Sequence, residues 1–226
     1  KNEPDSYKEA HESSEYSESQ DMKVAGRDVI VGESIPVGYT ILTGQDSEAN
    51  LLLTNGTLAK LGANSKIVMS VFWQKSFQAS TKKVTQLEEE VSSSRVSLEL
   101  EIGDLVVYVK KLNKDSSFMI ETPLGVAGIR GTQFRMSVDS KSTELAVLEG
   151  KVGFKDANQQ TKNVETAQKV VGGEGGVSDV DALPDDTKNE LANAVADSNK
   201  VASKYDLSRL ASTVDGYASK PNYIVK

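Results

Sequence analysis

Short apolar runs separated by turn residues fill most of the chain, and this pattern limits its possible folds more than any other feature. The run "RVSLELEI", residues 95–102, alternates Val96, Leu98 and Leu100 with polar neighbours. Alternation places apolar side chains on one face of a β-strand, so the run predicts a half-buried strand. Comparable runs recur at regular spacing over residues 22–172, which predicts an all-β domain there.

We expect these runs to form a two-sheet sandwich or a short solenoid-like roll of many short strands, with a C-terminal helical appendage. Asn55-Gly56 separates two apolar runs and is typical of a tight hairpin, because both residue types tolerate positive φ. Gly103-Asp104 predicts a further turn, between "RVSLELEI" and "LVVYVKKL".

Two segments interrupt or end the β pattern. Residues 74–94 carry Val84, Leu87 and Val91 at helical spacing, which predicts a helical or loop insertion that ends in a serine-rich stretch. Residues 173–184 include most of the sequence "GGEGG" and are rich in glycine and aspartate, which predicts a linker.

The last part of the chain, residues 185–226, predicts helices with an extended end. Leu191 and Val195 fall on one helical face, and acidic residues open the segment where the helix dipole favours them. Tyr223 and Ile224 are apolar residues close to the terminus and are candidates to add a strand, in this subunit or in another.

Most of the net charge lies in a polar N-terminal tail, residues 1–21. This tail holds seven acidic residues and two lysines, so it carries −5 of the net −7. The rest of the chain is near neutral and lacks the dense basic face that nucleic-acid binding requires. We therefore expect no nucleic-acid partner, and we expect the isolated tail to be disordered.

Composition also restricts the chemistry. The chain has no cysteine and one histidine, His11, which lies in the polar tail. Thiolate nucleophiles, cysteine metal sites and a histidine-based triad are therefore not expected. The loop Gly172–Gly176 lacks the following helix and the Lys-Ser/Thr pair of a phosphate loop. We predict no catalytic residue, no metal site and no cofactor.

Arg130 is a charged residue inside the apolar stretch "ETPLGVAGIRGTQFRMSV". It could bind an anionic ligand or a partner carboxylate, but glycines flank it and indicate a tight reversal. We expect its five donors to hold this turn by bonding backbone carbonyls or a buried acid, with Glu121 and Glu149 as the first candidates.

Three aromatic residues are candidate contacts for a ligand or a partner. Phe72, Trp73 and Phe77 lie close together in the sequence and could form a stacking platform for a sugar. Core packing and edge covering are commoner uses of such residues.

Two blocks of the sequence resemble the FecR domain. The first, "GESIPVGYTILTGQDSEANLLLTNGTLAKLGANSKI", has the glycine, threonine and "NGT" turn positions of the family's opening strands. The second resembles the family's "TP…RGT.F" block followed by a "v.vl.G.v" strand pair. Its matching residues are Thr122, Pro123, Arg130, Gly131, Thr132, Phe134, Leu148, Glu149, Gly150 and Val152.

The resemblance covers about residues 28–172 and implies an exported bacterial protein in the periplasm, at the outer membrane or on the cell surface. Any membrane attachment would come from an N-terminal anchor that this chain does not include. We expect a non-catalytic protein–protein interaction module, scaffold or self-assembling surface component. Its partner would be a protein, with a homo-oligomer formed through the terminal segments as one form. The alternatives are the periplasmic part of a FecR-type signal-transduction regulator and a carbohydrate-binding module.

Overall fold

A computed structural model describes residues 27–216 and 223–225, and most of this chain is β-strand. The predicted tail over residues 1–21 lies outside the described residues. The strands, β1 to β16 in chain order, are Ser34–Ile35, Thr40–Leu42, Ala49–Leu53, Leu58–Leu61, Lys66–Gln74, Ser94–Tyr108, Ser117–Thr122, Gly125–Ile129, Gln133–Val138, Ser142–Glu149, Lys151–Asp156, Thr161–Glu165, Gln168–Gly173, Gly176–Val177, Asp181–Ala182 and Tyr223–Val225. The helices are α1, Asp185–Ala202, and α2, Leu207–Gly216.

The strands form two sheets that share one strand. The first sheet has the order β1-β16-β3-β4-β6-β9-β10-β13, and β14 and β15 also pair with β13. The second has the order β2-β5-β6-β7-β8-β11-β12. Among these pairs only β6–β7 is parallel. The predicted all-β class, with two sheets and a C-terminal helical appendage, is confirmed.

Strand β6 belongs to both sheets because it bends at Gly103. The part before Gly103 pairs with β5 and β7, and the part after it pairs with β4 and β9. The turn predicted at Gly103-Asp104 is therefore wrong, since the chain continues as a strand. Gly103 has a φ of 102°, and a Cβ there would lie 2.5 Å from the Cα of Ser65. A side chain at this position would meet both backbone strain and a backbone clash.

The main core lies between the two sheets. It is made of the inward side chains of both, including the fully buried Leu100, Leu105 and Phe134. Fully burying a side chain of this size stabilises the fold by roughly 1.5–3 kcal/mol, before the cost of ordering it. The two sheets are thus held by one continuous apolar layer.

The outer side of the first sheet is covered by the helices and by the segment between β5 and β6. Leu52 and Leu58 of the sheet pack with Val84 and Leu87 of that segment and with Leu207 of α2. The segment is a loop with a single 3₁₀ turn at Val84–Gln86, so of the two forms predicted for residues 74–94 the loop is found and the helix is wrong. The periodic apolar residues are buried, but tertiary contacts rather than a helix position them.

The linker predicted over residues 173–184 is also wrong, because this segment is part of the first sheet. Gly173 pairs with Gly176 across a tight hairpin, and Asp181 pairs with Lys169. Gly176 has a φ of 104°, which a residue with a side chain rarely adopts. The glycines that suggested flexibility instead allow a close chain reversal.

The C-terminal end adds a strand to its own subunit. Backbone pairing places β16 between β1 and β3, with Tyr223 opposite Leu53 and Ile224 opposite Ser34. In the described part of the chain, β1 pairs with no other strand. Neither described helix is long and apolar enough to cross a membrane.

Candidate interaction surface

The residues of the "RGT" block form the point where the chain crosses between the sheets. Residues 130–132 carry it from β8 in the second sheet to β9 in the first, and Gly150 returns it from β10 to β11. Gly131 and Gly150 have φ values of 73° and 99°. The Thr132 hydroxyl donates to the carbonyl of Lys151 at 3.2 Å and joins the two crossings.

The other residues of the block also act inside the fold. The Thr122 hydroxyl donates to the carbonyl of Gly125 at 3.0 Å and closes the turn that contains the exposed Pro123. Phe134 is fully buried in the core. Glu149 accepts a hydrogen bond from the side-chain amide of Gln133 at 2.7 Å.

Arg130 does not hold this turn, so the role predicted for it is wrong. Its side chain is exposed, and in residues 27–216 no hydrogen bond or ion pair reaches its guanidinium. Glu121 accepts from Ser97 and Glu149 accepts from Gln133, so neither acid pairs with Arg130. Glycine geometry and the Thr132 hydroxyl hold the crossing, which leaves Arg130 free for contacts outside the fold.

The structure separates the three candidate aromatic residues, so the predicted platform does not form. Phe72 is buried in the main core, and the half-buried Phe77 packs against the covered side of the first sheet. Trp73 points the other way and is 53% exposed. Adjacent strand residues point to opposite faces, so two of the three could not share a surface.

A second polar cluster ties the segment between β5 and β6 to the sheets. Glu90 is almost fully buried. Its carboxylate accepts hydrogen bonds from the Ser94 hydroxyl at 2.6 Å and from the backbone N–H of Asn113 at 2.7 Å. The hydroxyl of Ser116 donates to the same carboxylate. All of these partners lie within the fold, so the cluster has a structural role.

Lys110 is a buried cation that lies next to the crossing. Its side chain is 2% exposed, and its ammonium lies 4.1 Å from the centre of the Tyr108 ring. Burial lowers the pKa of Lys110 to about 8. Burial also raises the pKa of Tyr108, with smaller contributions from Glu149 and Glu88.

Neither of the clefts beside these residues is a deep pocket. The one next to Tyr108 and Gly131 encloses about 160 Å³, and another beside Gly103 and Glu144 encloses about 380 Å³. Both are open at the surface. Across residues 27–216, no group of three acidic or histidine residues could hold a metal ion.

The second sheet, unlike the first, leaves its outer side open. We call the outward side chains of β2, β5, β6 before Gly103, β7, β8, β11 and β12 the open face. Ten large apolar side chains are well exposed in the described part of the chain, and seven of them lie on this face or at its rim. These seven are Tyr39, Leu42, Val71, Trp73, Ile102, Met119 and Val126.

The middle of the open face combines a protruding side chain with a notch. Met119, which is 41% exposed, lies opposite Gly128 in the strand pairing, and Gly128 lies opposite Gly153. A Cβ at Gly128 would have no neighbour nearer than 4.0 Å, and a Cβ at Gly153 would lie 3.8 Å from Oδ1 of Asn163, so both positions have room for a small side chain. A partner could place a side chain in this notch beside Met119.

A row of cations lies beside Met119 and the notch on the open face. Arg95 on β6 lies opposite Ser117, and Arg130 follows Ile129, which pairs with both Phe118 and Val152. The next cation in the row is Lys151. We call Arg95, Arg130 and Lys151 the cationic row. The Arg95 guanidinium lies over the Trp73 ring, 5.8 Å from its centre, and Lys151 pairs with Glu165 at 3.2 Å.

The sequence reasoning did not identify Met119, Val71 or Val126 as surface residues. The signal was present, because Phe118 and Ile120 alternate with Met119 in β7 and only one of the two sets can face the core. Apolar residues on both sides of a strand indicate that its second side is also covered or binds a partner.

Comparisons with known proteins identify the family of the chain. A family model described as "FecR protein" matches residues 39–153. Two crystal structures of a "putative anti-sigma factor" from Parabacteroides distasonis are similar to the chain at 13% identity, with TM-scores of 0.48 and 0.47. Each similarity covers 64% of this chain and 60% of the other. No curated protein matches the chain.

Proposed function

Because the chain belongs to the FecR family, we propose that it is a non-catalytic protein–protein interaction module and that the open face binds its partner. The observation that carries this proposal is the concentration of exposed apolar side chains on that face. Contiguous apolar surface in contact with water is unfavourable, and on soluble proteins it commonly marks an interaction site.

The asymmetry of the two sheets supports the proposal. α1, α2 and the loop over residues 75–93 shield the outer side of the first sheet, whereas no described element packs on the open face. Met119, the Gly128–Gly153 notch and Trp73 supply a protrusion, a hole and an aromatic anchor, which are features of energetically important interface centres. The cationic row adds a charged rim that can orient a partner.

The family block supports a binding role rather than a chemical one. Thr122, Thr132, Phe134 and Gly150 are used in turns, crossings and core packing, and Glu149 is bonded at the surface. Arg130 is exposed and has no hydrogen-bond or ion-pair partner among the described residues, and it belongs to the cationic row.

A second copy of the chain is one possible partner. The C-terminal strand pairs within its own sheet, so self-association would use the open face rather than exchange of Tyr223 and Ile224. We also propose that the protein works outside the cytoplasm. The family supports this placement. Cell fractionation would test it.

The family match also favours a second candidate, the periplasmic part of a FecR-type signal-transduction regulator. Both candidates use a protein-binding surface, and they differ in what the gene encodes before Lys1. A cytoplasmic helical region followed by a membrane span would identify the regulator. The carbohydrate alternative is not carried further, because it rested on the three aromatic residues that the fold separates.

Site-specific photo-cross-linking tests the binding role. A benzoylphenylalanine replaces Met119 in the full chain, and a second variant carries it at Asn193, an exposed position on α1. After irradiation of the producing cells, we expect a discrete cross-linked protein from position 119 and none from position 193. Equal products from both positions, or none from 119, would contradict the proposal. A product of about twice the 24.3 kDa chain mass would identify a second copy as the partner.

A further inference from the structure

We propose that the acidic N-terminal segment, residues 1–21, docks along the cationic row of the open face. The inference rests on the proposed function, which identifies the open face as a binding surface. It adds that a segment of the same chain binds there. The docked segment would compete with an external partner.

Charge is the first argument. The segment has a net charge of −5, whereas the described body offers two guanidinium groups in one row without a carboxylate partner. In the described residues, Arg95 contacts only the Trp73 ring, and Arg130 has no bonded partner. Exposed groups of opposite sign attract over about 10 Å at ordinary ionic strength.

The spacing of the acids is the second argument. Five acidic residues of the segment follow one another at intervals of three. They are Glu9, Glu12, Glu15, Glu18 and Asp21. An extended polyproline II chain has three residues per turn and rises about 3.1 Å per residue, so such acids would lie on one side about 9.3 Å apart.

The cations have a matching spacing. Arg95 lies on β6 and Arg130 at the end of β8, with β7 between them. Neighbouring strands are about 4.8 Å apart, so the two guanidinium-bearing positions lie about 9.6 Å apart across the strands. A segment that crosses the strands in this conformation would bring two successive acids of the series to the two arginines.

The two tyrosines of the segment fit the same arrangement. Tyr7 and Tyr16 are nine residues apart, so in a chain with three residues per turn they share a side next to the acid side. That side would face Met119 and the glycine notch. Twenty-six residues precede Arg27 and span up to about 85 Å when extended, far more than the width of the sheet.

The full chain can report this contact, because Trp73 is its only tryptophan and it has no cysteine. A nitroxide on Ser14→Cys, which would lie on neither the acid nor the tyrosine side, quenches Trp73 fluorescence when the segment is docked. Each labelled protein is compared with its unlabelled form. We expect strong quenching in about 0.01 M salt and loss of it in about 1 M NaCl, where the Debye length is about 3 Å.

Two variants make the test specific. Arg95→Gln with Arg130→Gln removes the cations and is expected to abolish the quenching. The exchange Glu12→Ser, Ser13→Glu, Ser17→Glu and Glu18→Ser keeps composition and charge but breaks the interval of three, and it is expected to reduce the quenching to the level of the double arginine variant. Equal quenching in all three proteins would overturn the proposal. Quenching that disappears on dilution would also overturn it, by assigning the segment to a second molecule. If the expected quenching is not observed but a cross-link still forms from position 119, the binding role of the open face stands without the docked segment.

Discussion

The carbonyl oxygen of Gly131 lies 2.8 Å from the position that a Cβ on Gly150 would occupy. The two glycines are therefore in close contact where the chain crosses between the sheets in opposite directions. Both have positive φ, so neither backbone conformation suits a residue with a side chain. This contact explains why the "RGT" and "EG" sequences occur together as parts of one crossing.

Replacing Gly150 tests the crossing. Gly150→Ala is expected to lower the free energy of unfolding by about 2–4 kcal/mol, because it combines positive-φ strain with a backbone clash. The control is Gly128→Ala, whose Cβ would have its nearest neighbour 4.0 Å away and whose φ is not positive. Thermal melts that shift equally for the two variants would contradict this account.

Glu90 and its neighbour Glu89 form a matched pair for the second prediction. Glu90→Ala leaves the buried donors of Ser94, Asn113 and Ser116 without an acceptor and is expected to cost about 2–4 kcal/mol. Glu89 pairs with Lys111 at the surface, so Glu89→Ala is expected to cost less than about 1 kcal/mol. Denaturant unfolding of both variants measures the difference, and similar costs would show that the Glu90 cluster does not hold the loop.

Lys110 gives a pH-dependent prediction. Its pKa is lowered to about 8 in the folded protein, below the usual value of 10.5. Between these pH values the unfolded chain binds the proton and the folded chain does not, so the contribution of Lys110 to stability rises with pH. Below about pH 8 both states are protonated and the full penalty for burying the charge remains.

The comparison of the wild type with Lys110→Met isolates this effect, since groups away from Lys110 titrate equally in both proteins. The wild type is expected to gain stability relative to the variant from pH 8 to 10, by up to about 3 kcal/mol. Denaturant unfolding across this range provides the measurement. A constant difference between the two proteins would show that the Lys110 ammonium is not desolvated.

The C-terminal strand provides the fourth prediction. Removing residues 217–226 deletes β16 and leaves β1 without the strand that holds it. We expect faster hydrogen exchange at Ser34 and Ile35 and a lower melting temperature. Removing residues 1–21 is the control and is expected to leave the exchange at Ser34 and Ile35 unchanged. Unchanged exchange after the C-terminal deletion would show that β16 does not hold β1.

The alternation of Val96, Leu98 and Leu100 was enough to predict the class of fold, because burial on one side of a strand leaves a period of two. The same logic did not show that β6 continues past Gly103, since a glycine that ends a strand and one that bends it look alike in sequence. The spacing of Val84 and Leu87 left both a helix and a loop open for residues 74–94. The loop forms because contacts with α2 and β3, which are distant in sequence, position these side chains.

The candidate site was less accessible to sequence reasoning than the fold. Arg130 stood out in its apolar run, but its exposure depends on which side of β8 faces the core. Met119 and Gly128 meet only through strand pairing, which the sequence does not specify. The composition of the open face therefore depends on the strand register, and its residues could be recognised only after the sheets were assembled.

The central claim is that the open face binds a protein partner, and native size-exclusion chromatography of cell extracts tests it most directly. Met119→Glu places a charge at the centre of the face, and Asn193→Glu places the same charge on exposed α1. Both are surface changes and are expected to leave the melting temperature within a few degrees of the wild type. The account predicts that the wild type and Asn193→Glu elute in a complex larger than 24.3 kDa and that Met119→Glu elutes as the free chain. Elution of Met119→Glu in the same complex as the wild type would contradict it.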